Sequence, residues 1–116
     1  MYHQKKGRKL SRKRDQRKAL IYHLAISLLS KEKIKTTEAK AKEVRRLVER
    51  CITKSKVDSL STRRYLARHF PRDLVKKMIE DLGKRYQDRP GGYTRIVRLG
   101  PRQSDGAKMV FIELVR

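Results

Sequence analysis

The sequence predicts an α+β fold: four helices packed on a small three-stranded sheet with a C-terminal β-hairpin, preceded by a basic N-terminal extension. Two changes of pattern carry that prediction. Up to about residue 85, apolar residues recur at spacings of three and four, the period of a helix with one buried face. From Tyr93 onward they alternate, the period of a half-buried strand. Asp105-Gly106, between the two alternating segments, is the strongest turn dipeptide in the chain.

The extension comes first. Residues 1–18, MYHQKKGRKLSRKRDQRK, hold nine Lys or Arg against one Asp and too few aliphatics to build a core. Residues 1–12 therefore read as a basic extension, disordered when free, and residues 13–116 as a single domain, the number that 116 residues support.

The first helix is marked by Leu20, Leu24 and Leu28, with Ile21, Ala25 and Leu29 on the same stripe. Lys13, Arg14, Arg17 and Lys18 crowd its first two turns, where each cation opposes the helix dipole by roughly a few tenths of a kcal/mol. A sequence that accepts this cost uses those charges on a ligand. Ile34-Lys35-Thr36 is short and β-branched, a brief strand leading into the second helix. Thr36 or Thr37 can cap that helix, Glu38 suits its first turn, and Ala41, Val44, Val48, Cys51, Ile52 and Ser55 form its buried stripe. Lys40, Lys42, Arg45, Arg46 and Arg50 lie largely off the stripe. Asp58 or Ser59 caps a short third helix through Leu66 and Phe70. Pro71 opens the fourth, whose stripe is Leu74, Val75, Met78, Ile79 and Leu82, and Gly83 is placed to end or loosen it.

Residues 88–96, DRPGGYTRI, form a turn. Pro90 and Gly91 suit the second and third positions of a type II turn, which needs a proline φ and then a positive φ. Gly92 then leaves the backbone bare beside Tyr93, Arg95 and Arg98, so that a sugar-phosphate strand could approach closely. The hairpin follows. A turn centred on Asp105-Gly106 sets Leu99 against Ile112, Val97 against Leu114 and Arg98 against Glu113, apolar opposite apolar and charge opposite charge. Pro101 then falls in the ladder, which calls for a bulge or an edge near the turn.

Charge narrows the function. Thirty-three Lys and Arg against 12 Asp and Glu give a net +21, so a polyanion is needed to relieve self-repulsion, and nucleic acid is the expected partner. No run of 18 or more apolar residues is present, so no membrane span is expected. The lone Cys51 excludes an internal disulfide and a multi-cysteine zinc site, and His3, His23 and His69 have no neighbours at ligand spacing; no metal or cofactor is expected. Catalytic groups are equally thin. Asp88 and Asp105 sit where turns favour Asp, Glu113 has a cross-strand arginine, and Gly91-Gly92 lacks the Lys-Ser/Thr of a nucleotide-triphosphate loop. An RNA-processing enzyme would need a carboxylate or histidine cluster, and a DNA-compacting protein an evident dimer face or groove-reading helix. With 6% aromatics and no Trp, a broad stacking platform is not expected. Backbone-dominated binding to a folded RNA or duplex fits best, with Tyr93 as the aromatic placed to touch a ribose or base.

Several longer motifs are more specific than charge. KKGRKL at 5–10, RKAL at 17–20, IKTTEAKAKEVR at 34–45, DRPGGYTRIVRLGPR at 88–102 and IELV at 112–115 resemble the bacterial large-subunit ribosomal protein seventeen family, along the full chain. Glu32 departs from it, standing where a glycine commonly ends the first helix. The resemblance implies a structural, non-enzymatic α+β protein bound to large-subunit ribosomal RNA near the exit of the polypeptide tunnel, among neighbouring ribosomal proteins and without a small-molecule substrate. It implies RNA contacts at Lys5, Lys6, Gly7, Arg8 and Lys9 in the arm and at Arg17 and Lys18 in the first helix. Further contacts fall at Lys35, Thr36, Lys40 and Lys42, and at Arg89, Gly91, Gly92, Tyr93, Arg95 and Arg98. His3 and Arg12 in the arm, Lys13 and Arg14 at the helix start, and Arg102 in the hairpin complete the candidate set.

Overall fold

A computed structural model describes residues 13–116. Its elements run α1 (Arg14–Lys31), β1 (Lys33–Thr37), α2 (Glu38–Ser55) and α3 (Leu60–Ala67), then a fourth helix, α4, continuous over Arg72–Lys77, Met78–Leu82 and Gly83–Arg85, and the strands β2 (Thr94–Pro101) and β3 (Lys108–Leu114). Four helices packed with a three-stranded antiparallel sheet give the α+β fold that the sequence predicts. The candidate contacts His3, Lys5, Lys6, Gly7, Arg8, Lys9 and Arg12 lie outside the described residues.

Strand order is β1-β3-β2, so the last strand is the central one. Val110, Ile112 and Leu114 alternate inward from β3 and meet α2, whose buried stripe runs from Ala41 to Ser55. Leu28 and Leu29 of α1, Leu66 of α3, and Met78 and Leu82 of α4 close the same core from the other side. Ser59 Oγ accepts the Thr62 amide at 3.1 Å and is the cap of α3, while Asp58 pairs with Arg63.

Gly83 does not end α4. The helix runs as α-helix over Arg72–Lys77, opens to one π-type turn at Met78–Leu82, and resumes through Gly83–Arg85. The reason is contact: a Cβ on Gly83 would stand 2.2 Å from the Ser55 carbonyl oxygen at the end of α2. Glycine here permits two helices to touch backbone to backbone, rather than breaking one of them.

The hairpin register also differs from expectation. Ile96 faces Ile112, Val97 faces Phe111 and Arg95 faces Glu113, a slip of three residues from the predicted pairing. An odd slip turns every side chain to the other face. Val97 and Leu99 therefore point to solvent and are exposed, while Thr94 is buried and Ile96 packs against the core. The cause is a longer loop: the Gly106 amide donates to the Arg102 carbonyl, and Asp105 accepts both the Arg102 guanidinium at 2.7 Å and the Ala107 amide at 3.1 Å. Asp105 thus fixes the loop by its side chain instead of centring a two-residue turn. A bulge between Arg98 and Gly100 completes the shift, and Pro101 is tolerated because β2 is an edge strand.

Glu32 occupies the left-handed position after α1, with φ 67°, and its amide donates to the Leu28 carbonyl at 2.7 Å. Its carboxylate binds Arg85 at 2.6 Å and Lys77 at 3.0 Å, which ties the end of α1 to α4. Those hydrogen bonds, the Arg85 one foremost, hold the Glu32 carboxyl down to about 2.

Candidate nucleic-acid interface

Lys13, Arg14 and Lys18 are exposed at the start of α1, and Arg17 is half-buried beside them. Lys13 stands at the cap position of the helix, and its ammonium has no acceptor to offer the free amides there. On α2, Lys42 is exposed and Lys40 half-buried, with Arg45, Arg46 and Arg50 exposed further along. Those three arginines fall outside the candidate set, although their off-stripe spacing marks them as surface cations.

The hairpin cations are held by surface partners. Arg95 reaches Glu113 at 3.6 Å, Arg98 reaches Glu38 of α2 at 3.2 Å, and Arg102 clamps Asp105. Arg89 donates to the Gly92 carbonyl at 3.3 Å. Exposed pairs of this kind contribute about 0–1 kcal/mol each, so they set side-chain direction and can be exchanged for phosphate at little cost. The Arg102–Asp105 clamp is the tightest of them: the Arg102 side chain, with the Ala107 amide, holds the Asp105 carboxyl down to about 2.

The glycine turn is tied rather than bare. The Glu49 carboxylate accepts the Gly92 amide at 3.0 Å, the Thr94 amide at 2.9 Å and the Thr94 hydroxyl at 2.8 Å. A carboxylate from α2 thus already fills the donor set that the sequence offers to a phosphate. The positive φ also falls on Gly92, at 66°, and not on Gly91 as a type II turn at Pro90-Gly91 would require. Glu49 itself carried no sequence signal beyond being an acid among the cations of α2.

Two candidate side chains are corrected to the interior. Tyr93 is fully buried, stacked obliquely on Tyr86 with ring centroids 5.1 Å apart, its hydroxyl 3.0 Å from Thr53 Oγ1. Pro90 and Gly92 before it are exposed, but Tyr93 lies just ahead of β2, where Tyr86 and Thr53 hold the ring in the interior. Thr36 is likewise buried, opposite Val110 on the core face of β1, whereas Lys35 next to it is exposed. Strand alternation makes that division: one of the two must point in.

No group of three or more His, Cys, Asp or Glu able to hold a metal stands together among the described residues. Cys51 is buried, and burial pushes its thiol up to about 11, away from the thiolate that a nucleophile needs. No helix among the described residues is long and apolar enough to cross a membrane.

Fold and surface together define a class: a small, strongly basic α+β protein whose rigid helix-and-sheet frame presents cations. Comparison with known proteins narrows it. Residues 20–115 match the family described as Ribosomal protein L17. The chain is 50% identical over 109 residues to the Large ribosomal subunit protein bL17 of Natranaerobius thermophilus, covering 93% of this chain and 96% of that protein. The chain belongs to the Ribosomal protein L17 family, a family of structural ribosomal proteins and not of enzymes.

Proposed function

We propose that this protein is a structural component of the large ribosomal subunit in the cytoplasm, bound to large-subunit ribosomal RNA near the polypeptide tunnel exit and supporting assembly and translation. The observation that carries the reading is the excess of 33 cations over 12 acids in a chain of this family. Internal ion pairs cannot absorb that excess, and RNA phosphates can. The arm, residues 1–12, threads between RNA helices and orders on binding. Lys13, Arg14, Arg17, Lys18, Lys35, Lys40, Lys42, Arg89, Arg95, Arg98 and Arg102 supply phosphate contacts from the domain, with the Gly91 backbone beside them and the Gly92 amide held by Glu49. Neighbouring large-subunit proteins complete the environment.

Sedimentation tests it. Cells lysed in low salt should show the protein with large subunits, released only by high salt; sedimentation with chromosomal DNA would overturn the reading. Deleting residues 1–10 should leave the melting transition of the domain intact and weaken incorporation into large subunits. Unchanged incorporation would remove the arm from the mechanism.

A further inference from the structure

The helices pack against one face of the sheet, the face of Val110, Ile112 and Leu114. The opposite face carries half-buried Met109, Phe111 and Glu113 on the central strand between exposed residues of both edge strands, and has a chemically ordered centre. Phe111 lies mid-way along the central strand, flanked in register by Lys35 on β1 and Val97 on β2. One step along, Glu113 is flanked by Lys33 and Arg95. An aromatic ring therefore sits among three cations and one acid, and that acid already pairs with Arg95 at 3.6 Å.

We propose that this face is a stacking site for an unpaired RNA nucleobase, with Phe111 as the platform and Lys33, Lys35 and Arg95 as ligands of the flanking phosphates. The inference rests on the RNA-binding reading above. Core packing does not explain Phe111, which faces away from the buried cluster. Val97 and Leu99 beside it are 39% and 44% exposed, two of the four exposed large hydrophobics among the described residues. An apolar strip rimmed by cations fits a ligand that is flat and apolar at its centre and anionic at its edge. A nucleotide has that form.

The ring's π-face is usable. Lys33 Nζ lies 4.3 Å from the Phe111 centroid, a cation over the negative face of the ring. A base stacking there displaces the lysine from the ring toward its own phosphate, so the ammonium keeps a negative partner throughout. Next to the platform, a cavity of about 380 Å³ is lined by Lys35, Leu99, Met109 and Arg102 with the hairpin loop, room for the sugar and a neighbouring nucleotide. Stacking on a single aromatic is sequence-tolerant, because every base offers a π-face.

The test uses the full chain and a single-stranded oligoribonucleotide carrying a fluorescent purine analogue whose emission falls on stacking, beside a blunt RNA duplex of equal length. Wild-type protein should quench the analogue. Phe111→Leu, which keeps apolar bulk, should lose the quenching and roughly five- to a hundredfold in affinity for the single strand, with duplex affinity unchanged; Phe111→Tyr should restore both. Val97→Asp probes the same face from the edge strand, leaves β3 intact, and should weaken single-strand binding if Phe111→Leu proves unfolded. Equal quenching and affinity in Phe111→Leu and wild type would overturn the proposal and leave the face to a protein partner. Failure of the wild-type chain to bind large-subunit ribosomal RNA at all is a different result, and would remove the RNA-binding reading itself.

Discussion

Glu49 and Thr94 are joined twice, the carboxylate of one accepting both the amide and the hydroxyl of the other at 2.9 and 2.8 Å. Thr94 opens β2 and is buried, and Glu49 lies on the side of α2 that meets it. This pair fixes where the glycine turn ends and where the hairpin begins. It also sets the direction in which Arg95, the next residue, leaves the sheet.

Replacing Glu49 by alanine should cost about 2–3 kcal/mol of stability, because a buried hydroxyl and amide lose a charged acceptor. Glu49→Gln, which retains one acceptor oxygen, should cost less. Urea midpoints of the two variants decide the matter, and a midpoint for Glu49→Ala equal to wild type would show that water replaces the carboxylate.

Gly83→Ala should be more damaging than its size suggests. In an exposed helix the change stabilises by about 1 kcal/mol, but here the methyl collides with the Ser55 carbonyl, and forced repacking costs about 1–3 kcal/mol or more. A fall in melting temperature above roughly 10 °C is expected for a domain of this size. An unchanged or higher melting temperature would mean that α2 and α4 separate easily at this point.

The ion pairs of Glu32 should give a pH signature. Its folded pKa, about 2, lies below the ordinary 4.5, so its contribution is full above about pH 5 and is lost as pH falls through about 2. Glu32→Gln should therefore be less stable than wild type by about 1–2 kcal/mol at pH 7, with the gap closing toward pH 2. Glu32→Gly loses the same pairs but is freed of a left-handed backbone cost of about 1 kcal/mol, so its deficit should be the smaller one. Denaturant titrations across this pH range would show a constant gap if the pairs contribute nothing.

Tyr93→Phe should separate structure from binding. Losing the hydroxyl contact with Thr53 should cost about 1 kcal/mol of stability and leave RNA affinity as it was. A large loss of affinity at unchanged stability would return Tyr93 to the interface.

The sequence by itself determined the elements and the family. Leu20, Leu24 and Leu28, the stripe of α2, and the change to alternation after Tyr93 are local patterns, and burial of one face is the force that writes them. The family was equally legible, because the motifs that resemble it, such as DRPGGYTRI, are contiguous strings within the residues that match the family. Only the tertiary structure decided which groups meet. Gly83 is a helix breaker in one dimension and a contact point in three; the glycine turn looks bare until Glu49 reaches Gly92 from 43 residues away in sequence. Val97 and Ile96 exchanged places through the hairpin register. A strand's alternation says that successive side chains part, and the register, set by the Arg102–Asp105 loop and the bulge at Leu99, says which of them goes inward.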